Sequence, residues 1–150
     1  SNVKIIFTLD FCLYIYLYYN RTMNILDTNV KQVIENSELV TIATIGEDGP
    51  HLVATWGAFV KSLDVNDGKT ILIPAGGYIQ TEKNLKSNDQ VVLMVGTKQV
   101  QGKNGMGTGY RLSGRGKIVT EGDFMNLTRS KYPWARAAFV ITVETAQQLM

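Results

Sequence analysis

The central part of the chain alternates hydrophobic and polar residues with the period of two that indicates β-strands. The pattern predicts two strands, ELVTIATIG and HLVATWGAFVK, joined by the turn sequence GEDGP, whose glycines and proline favour a tight hairpin. Along the second strand, one face carries Leu52, Ala54, Trp56, Ala58 and Val60, and the other carries His51, Val53, Thr55, Gly57, Phe59 and Lys61. Both faces are partly apolar, which fits either an ordinary core strand or a barrel or dimer seam that accepts a flat ligand.

Three short segments are predicted to be helices. In ILDTNVKQVIENSE, Asp27 or Thr28 can cap a helix whose apolar face carries Leu26, Val30, Val33 and Ile34. A second short helix is predicted after the glycine pair of AGGYIQTEKNLKSNDQ, with Thr81 as its candidate N-cap. The third segment, GDFMNLTRSKYP, is expected to end before Pro133, because a residue that precedes proline avoids helical geometry.

Further strands are predicted from short apolar runs. They are TILIPA, which Pro74 ends or interrupts, VVLMVG, RLSGRGKIVTEG and the last strand, Ala137 to Val143. A turn is predicted at Asn66, Asp67 and Gly68, and the two glycines 114 and 116 are expected to bend a curved sheet. Short strands, short helices and bend-forming glycines together predict a small Greek-key barrel with helices at its rim.

The glycine-dense stretch TKQVQGKNGMGTGY does not match a nucleotide-binding loop. It contains neither GxGxxG at the start of a helix nor GxxxxGK followed by serine or threonine. We therefore predict a flexible hairpin or loop there. A different segment offers a possible anion site: Gly76 and Gly77 allow close backbone approach, and the helix start after them suits a phosphate, with Gln80, Thr81 and Lys83 as polar partners. A plain strand-to-helix turn is the alternative.

The first 22 residues are rich in aromatic and aliphatic side chains. Asp10 divides the apolar run and leaves Phe11 to Tyr19, which is shorter than the ~20 residues that a spanning helix needs. No membrane span is predicted. Because Met23 directly precedes the first helix, we expect residues 1–22 to be an N-terminal extension and residues 23–150 to be the functional domain.

Composition narrows the class of protein. A chain of 150 residues is about one domain, and its formal net charge of +2 with scattered basic residues argues against nucleic-acid binding. The single cysteine, Cys12, excludes an internal disulfide and fits a reducing compartment, with the cytoplasm favoured. The single histidine, His51, leaves no HExxH motif and no histidine cluster for a metal, so hydrolytic and metal chemistry are disfavoured and no catalytic residue is assigned.

Four segments taken together, GEDGPHLVATW, IPAGGYIQTEKN, GKNGMGTGY and KYPWARAAFVITV, closely resemble the FMN-binding split-barrel family related to pyridoxamine 5′-phosphate oxidase. The resemblance extends from about Met23 to Met150. It implies a mainly β fold, a six-stranded antiparallel Greek-key split barrel with short helices at the rim. It also implies a homodimer that holds one FMN per chain near the subunit seam and performs one- or two-electron chemistry.

The resemblance also implies a set of cofactor-binding residues. Thr55 and Thr81, with Gln80 beside them, would hold the phosphate, and the terminal Met150 would lie against the isoalloxazine. The ring would be lined by Trp56, the Gly76 and Gly77 backbone, and Trp134. Two positions depart from a close relative, which has a lysine at Gln80 and an asparagine at Ala54. Either Lys83 or an arginine elsewhere would then supply the missing positive charge, or FMN binding would be weaker.

Three functions are compatible with this reading. The first is an FMN-dependent electron carrier or small oxidoreductase, in which the flavin supplies the redox chemistry and no catalytic set is needed. The second is an NAD(P)H-dependent flavin reductase or an oxidase of a small substrate. The third is a dimeric binding module that has lost its flavin. The redox partner or substrate is left open.

Overall fold

The computed structural model describes residues 10–15, 25–63 and 68–150. Three α-helices follow a short helical stretch at 10–15: α1 (Thr28–Asn36), α2 (Ile79–Ser87) and α3 (Asp123–Lys131), and a 3-10 helix spans Gly57–Phe59. The strands are β1 (Leu39–Gly46), β2 (Gly49–Trp56), β3 (Lys61–Leu63), β4 (Thr70–Ala75), β5 (Gln90–Gln101), β6 (Met106–Val119) and β7 (Ala137–Gln148). Within these ranges, no helix is long and apolar enough to cross a membrane.

The strands form one antiparallel sheet in the order β2-β1-β5-β6-β7-β4-β3. Six of the strands described have six residues or more, and the three-residue β3 extends the sheet at one end. The predicted mainly β, antiparallel architecture with short helices is therefore confirmed. β2 and β3 lie at opposite ends of the strand order, so the position of the site depends on how the sheet curls.

Helix α1 covers one side of the sheet and forms the main core with it. Asp27 caps the helix by accepting a hydrogen bond from the Val30 backbone N–H at 2.9 Å, as the sequence predicts. The predicted apolar face is buried against the strands: Leu26, Val30, Val33 and Ile34. A second apolar cluster forms where α3 packs on β4 and β7, around Met125 and Val140. α3 ends at Lys131, before Pro133, as predicted.

The hairpin is confirmed, but its second strand is shorter than predicted. Gly49 to Trp56 pairs with β1, and the chain then turns into the 3-10 helix instead of continuing to Lys61. The Gly57 backbone N–H donates to the Glu38 carbonyl at 2.9 Å, and a Cβ at Gly57 would lie 1.7 Å from the Ser37 carbonyl oxygen. The chain can turn here because residue 57 has no side chain.

Five local predictions have different outcomes. Pro74 does not end β4, which continues to Ala75. β3 pairs only with Thr70 to Leu72 of β4. Pro74 is therefore beyond the part of β4 that pairs with β3, and no hydrogen bond to β3 requires the backbone N–H that proline lacks. The last strand extends past Val143 to Gln148 because β6 pairs along its whole length. Gly114 lies at a register shift in that pairing, as predicted, and the glycine-dense stretch forms the β5–β6 hairpin. Of the turn predicted at 66–68, residues 66 and 67 lie outside the described residues.

Candidate functional site

The curled sheet creates a depression of about 520 Å³ where its two ends approach each other. The end of β2 forms one wall, and the end of β4 with the following turn forms the other. Five of the predicted cofactor-binding residues line it: Thr55, Trp56, Gly76, Gly77 and Trp134. The remaining lining residues are Leu39, Val53, Ala54, Phe59, Pro74 and Tyr78. The volume lies within the ~300–1,000 Å³ of small-molecule sites.

The two tryptophans give the depression an aromatic and partly open wall. Trp56 is 58% exposed and Trp134 is 54% exposed, which is high for the largest apolar side chains. A Cβ at Gly76 would lie 3.3 Å from the Trp134 ring, so the glycine lets the backbone and the indole come together. Exposed indoles beside a glycine backbone are suited to contact with a flat ring.

Tyr78 is a lining residue that the sequence analysis did not select. It adopts a left-handed backbone conformation, with φ of 65°, directly after the glycine pair, and its ring meets Phe139 edge-on at 5.6 Å. Burial raises the pKa of its phenol, and a hydrogen bond with the Thr55 hydroxyl opposes that rise. The phenol is therefore neutral at physiological pH. An aromatic residue between a glycine pair and a helix is the signal that could have identified it.

Arg136 fixes the turn that carries the glycine pair. Its guanidinium donates to the Gly77 carbonyl at 3.1 and 2.7 Å and pairs with Glu82 at 3.0 Å. Its backbone N–H donates to the Ala75 carbonyl at 2.9 Å. The β4–α2 connection is thus held from outside by side chain and backbone of the same residue, a role that sequence spacing does not reveal.

Thr81 is inside α2 and is not the N-cap. Tyr78 occupies the cap position without a side-chain cap bond, because the left-handed turn starts the helix before Thr81. The Thr81 side chain is fully buried, and its hydroxyl has no hydrogen-bond partner in the structure. A buried hydroxyl without a partner costs about 1–3 kcal/mol. Thr81 does not line the depression that Thr55 and the two tryptophans line.

Gln80 faces a second, polar depression of about 510 Å³ between α2 and the β1–β2 turn. Its amide donates to Asn84 Oδ1 at 2.8 Å, and Asn84 donates to the Thr44 hydroxyl at 3.1 Å. His51 and Lys83 also line it. Because β2 alternates, His51 lies on the same strand face as Val53 and Thr55, and the start of α2 borders both depressions.

Met150 does not line either depression of its own chain. Its carbonyl accepts a hydrogen bond from the Thr108 hydroxyl at 2.5 Å, and its Cε would lie 3.1 Å from a Cβ built on Gly109. Gly109 and Arg111 share one face of β6, and Arg111 pairs with Met94 of β5. The Met150 side chain, which lies over Gly109, is therefore on the sheet face that carries Met94.

No three acidic, histidine or cysteine side chains of the described residues are grouped as a metal site would require.

Comparison with known proteins identifies the family. Residues 26–150 match the family model described as pyridoxamine 5′-phosphate oxidase. The chain belongs to this family. The FMN-binding protein of Nitratidesulfovibrio vulgaris (strain Miyazaki F) is 44% identical over 120 residues, which cover 79% of this chain and 94% of the relative.

Solved structures show the same fold at low identity. HupZ of Group A Streptococcus superposes with a TM-score of 0.67 at 22% identity and covers 83% of this chain and 99% of its own. An FMN-binding protein from Syntrophomonas wolfei has a TM-score of 0.63 at 16% identity and covers 95% of this chain and 97% of its own. These similarities confirm the pyridoxamine 5′-phosphate oxidase-like split barrel that the sequence motifs predict.

Proposed function

We propose that this member of the pyridoxamine 5′-phosphate oxidase family is a flavoprotein that binds FMN in the depression at the split of the barrel. The observation that carries the proposal is the convergence of Thr55, Trp56, the Gly76–Gly77 turn and Trp134, from separate segments, on one depression. Similarity to an FMN-binding relative at 44% identity supports the choice of ligand.

The chain offers different residues to the two ends of FMN. Thr55 and Thr81 are proposed to donate to the phosphate, and the unpartnered Thr81 hydroxyl fits such a role. The start of α2 adds backbone N–H groups and a positive dipole end. Lys83, beside Gln80, is the cation nearest in sequence that can replace the lysine expected at Gln80.

The ring end is proposed to lie between Trp56, the Gly76 and Gly77 backbone and Trp134. FMN supplies one- or two-electron redox chemistry when it is bound. The protein residues orient it and limit access of water: two indoles provide apolar cover, and Arg136 holds the Gly77 carbonyl in place. Tyr78 keeps a neutral phenol at Thr55, so it adds no negative charge near the phosphate.

A homodimer completes the proposal. One sheet face of the β1–β2 hairpin carries four large exposed apolar side chains, Leu39, Ile45, Leu52 and Trp56, and the β1 and β2 positions on that face hold no charged residue. An apolar surface of this kind indicates a protein interface. Met150 lies on the same side of the sheet, so a second copy seated there would bring its Met150 to the seam. Light scattering at micromolar concentration tests the dimer, and a flavin-loaded monomer would refute the shared seam.

The role favoured is an electron carrier or small oxidoreductase of a reducing compartment such as the cytoplasm, in which Cys12 stays a thiol. The test starts with the absorbance spectrum of the purified protein and of the protein mixed with FMN. A flavin spectrum that co-purifies or saturates at one FMN per chain supports the proposal. A protein that binds no FMN would instead be a binding module without flavin.

Stopped-flow mixing with NADH and NADPH separates the carrier from the reductase. The flavin of a carrier keeps its colour on this time scale, whereas the flavin of a reductase bleaches within seconds. The depression is partly open beside the exposed indoles, so either outcome is sterically allowed, and the measurement decides the class of reaction.

A further inference from the structure

The side chain of Arg136 bridges two parts of the connection between β4 and α2. Its guanidinium donates from two nitrogens to the Gly77 carbonyl, at 3.1 and 2.7 Å, and pairs at 3.0 Å with Glu82 in the first turn of α2. The side chains of Arg136 and Glu82 are 31% and 24% exposed, whereas those of Arg115 and its two carboxylate partners are 46–58% exposed. These contacts to Gly77 and Glu82, called the Arg136 clamp below, are thus better shielded from water than that surface ion pair.

The clamp fixes the orientation of the peptide group between Gly77 and Tyr78. This peptide is trans, so its carbonyl oxygen and its N–H point in opposite directions. Because Arg136 holds the oxygen, the Tyr78 N–H points away from the guanidinium. Gly77 and Tyr78 line the main depression and Arg136 does not. Among the described residues, this N–H makes no backbone hydrogen bond, so it is available as a donor to a ligand.

The same orientation keeps Tyr78 in a left-handed backbone conformation. Its φ is 65°, and among the described residues it is the one non-glycine residue with positive φ. Turning the peptide over by about 180° would bring this φ to about −115°, an ordinary value for an L-residue. Gly77 would not oppose the rotation, since it has no side chain and a Cβ built there meets no atom within 4 Å. The preference of Tyr78 therefore favours the reversed peptide, and the clamp opposes it.

We propose that Arg136 is a positioning residue of the flavin site: by holding the Gly77 carbonyl, it presents the Tyr78 N–H, and not a carbonyl oxygen, to the bound ring. The inference rests on the proposed flavin function and names the residue that sets the polarity of the turn beside the ring. Reduction makes a flavin ring more electron-rich, which an N–H dipole favours and a carbonyl dipole disfavours. The clamp therefore raises the affinity of the site for reduced FMN relative to oxidised FMN.

A guanidinium suits this role better than a simple positive charge. Its planar set of donors can bind the Gly77 carbonyl twice and the Glu82 carboxylate at the same time, which an ammonium cannot do with the same geometry. A positive charge alone would also favour reduced FMN, but salt screens the effect of a charge that is partly exposed to solvent. Arg136→Lys and high salt therefore separate the clamp from a purely electrostatic effect.

The first test uses the flavin-free protein. Arg136→Met removes the guanidinium donors and keeps a long unbranched side chain, and the backbone bond of residue 136 to β4 is retained. Arg115→Met is the matched control, because it removes an arginine that also pairs with carboxylates but does not line the depression. Nuclear Overhauser effects between the Gly77 α-protons and the Tyr78 amide proton report the orientation of the peptide. They should change in Arg136→Met and stay as in the parent in Arg115→Met.

The second test measures the midpoint potential of bound FMN by equilibrium spectroelectrochemistry. In Arg136→Met, the ratio of the Kd for reduced FMN to the Kd for oxidised FMN should rise about tenfold, which lowers the potential of this two-electron couple by about 30 mV. Arg136→Lys should give a smaller shift in the same direction, and Arg115→Met should keep the parent ratio. The shift should persist at about 1 M salt, since it arises from a reoriented dipole beside the ring.

Three results would overturn the proposal: parent-like Overhauser effects in Arg136→Met, a parent-like potential in Arg136→Lys, or a shift in potential that disappears at about 1 M salt. The last two would mean that Arg136 acts only through its charge. If Arg136→Met does not fold, Arg136→Lys serves for both measurements. A parent protein that shows no flavin spectrum with FMN would refute the proposed function instead, and the Overhauser effects would still decide the orientation of the peptide.

Discussion

Replacing Thr81 with valine should have opposite effects on the empty protein and on FMN binding. The two side chains have nearly the same shape, both are β-branched, and only the hydroxyl is lost. In the structure this hydroxyl is fully buried without a hydrogen-bond partner. Removing an unpartnered buried hydroxyl should increase the free energy of unfolding of the flavin-free protein by about 1–3 kcal/mol. That corresponds to about 2–4 °C in Tm for each kcal/mol in a domain of this size.

The same change should weaken FMN binding. A hydrogen bond to a charged oxygen contributes about 1.5–3 kcal/mol, so Thr81→Val should raise the Kd for FMN roughly 10- to 100-fold. Thr128→Val is the matched control, because Thr128 is also a buried helical threonine but its hydroxyl donates to the Phe124 carbonyl at 2.8 Å. The control should lose stability slightly and keep its FMN affinity.

Two measurements decide the question: differential scanning calorimetry of the flavin-free proteins and fluorescence titration with FMN. A Thr81→Val protein that is less stable than the parent when empty would mean that the hydroxyl already has a partner. An unchanged Kd for FMN would mean that the phosphate is held elsewhere. Either result refutes the reasoning from the unpartnered hydroxyl.

Three further predictions concern the same surfaces. Thr55→Val should weaken FMN binding about 10- to 100-fold and leave the binding of riboflavin, which has no phosphate, nearly unaffected. Equal losses of affinity for the two ligands in a titration would show that Thr55 does not recognise the phosphate. Trp56→Phe should increase the fluorescence of bound FMN with a modest loss of affinity, because the indole is the better electron donor, and emission as bright as free FMN in the parent would contradict contact with either indole. Gly57→Ala should destabilise the protein by about 3 kcal/mol in a denaturant titration, because the new Cβ would overlap the Ser37 carbonyl oxygen. Gly77→Ala is the control: no atom lies within 4 Å of its new Cβ, so the unfolding midpoint should change little.

Local chemistry made several parts of this protein predictable from sequence. Asp27 caps α1 because a carboxylate at that position can accept from the Val30 N–H, and the 3.6-residue period of Val30, Val33 and Ile34 sets the buried face. The β1–β2 hairpin follows from alternation and from its turn sequence. The family resemblance additionally selected lining residues that alternation alone left open between a core strand and a ligand surface.

Other features depend on contacts between residues far apart in the chain. The end of β2 at Trp56 depends on the Ser37 carbonyl beside Gly57, and Pro74 stays in β4 because β3 is short. The meeting of Trp134 with Gly76 depends on how the whole sheet curls. Residue periodicity determines which face a side chain is on, but strand register and sheet curvature determine which distant side chain it meets.

The same distinction separates the two threonines that are proposed to bind the phosphate. Thr55 could be placed from the period of β2, since its face is set by its neighbours along the strand. Thr81 was predicted as an N-cap from residue type, but the left-handed turn at Tyr78 starts α2 earlier and turns the Thr81 hydroxyl into the interior. The backbone of the turn, which Arg136 and the glycine pair hold, decides that orientation, and no property of threonine itself encodes it.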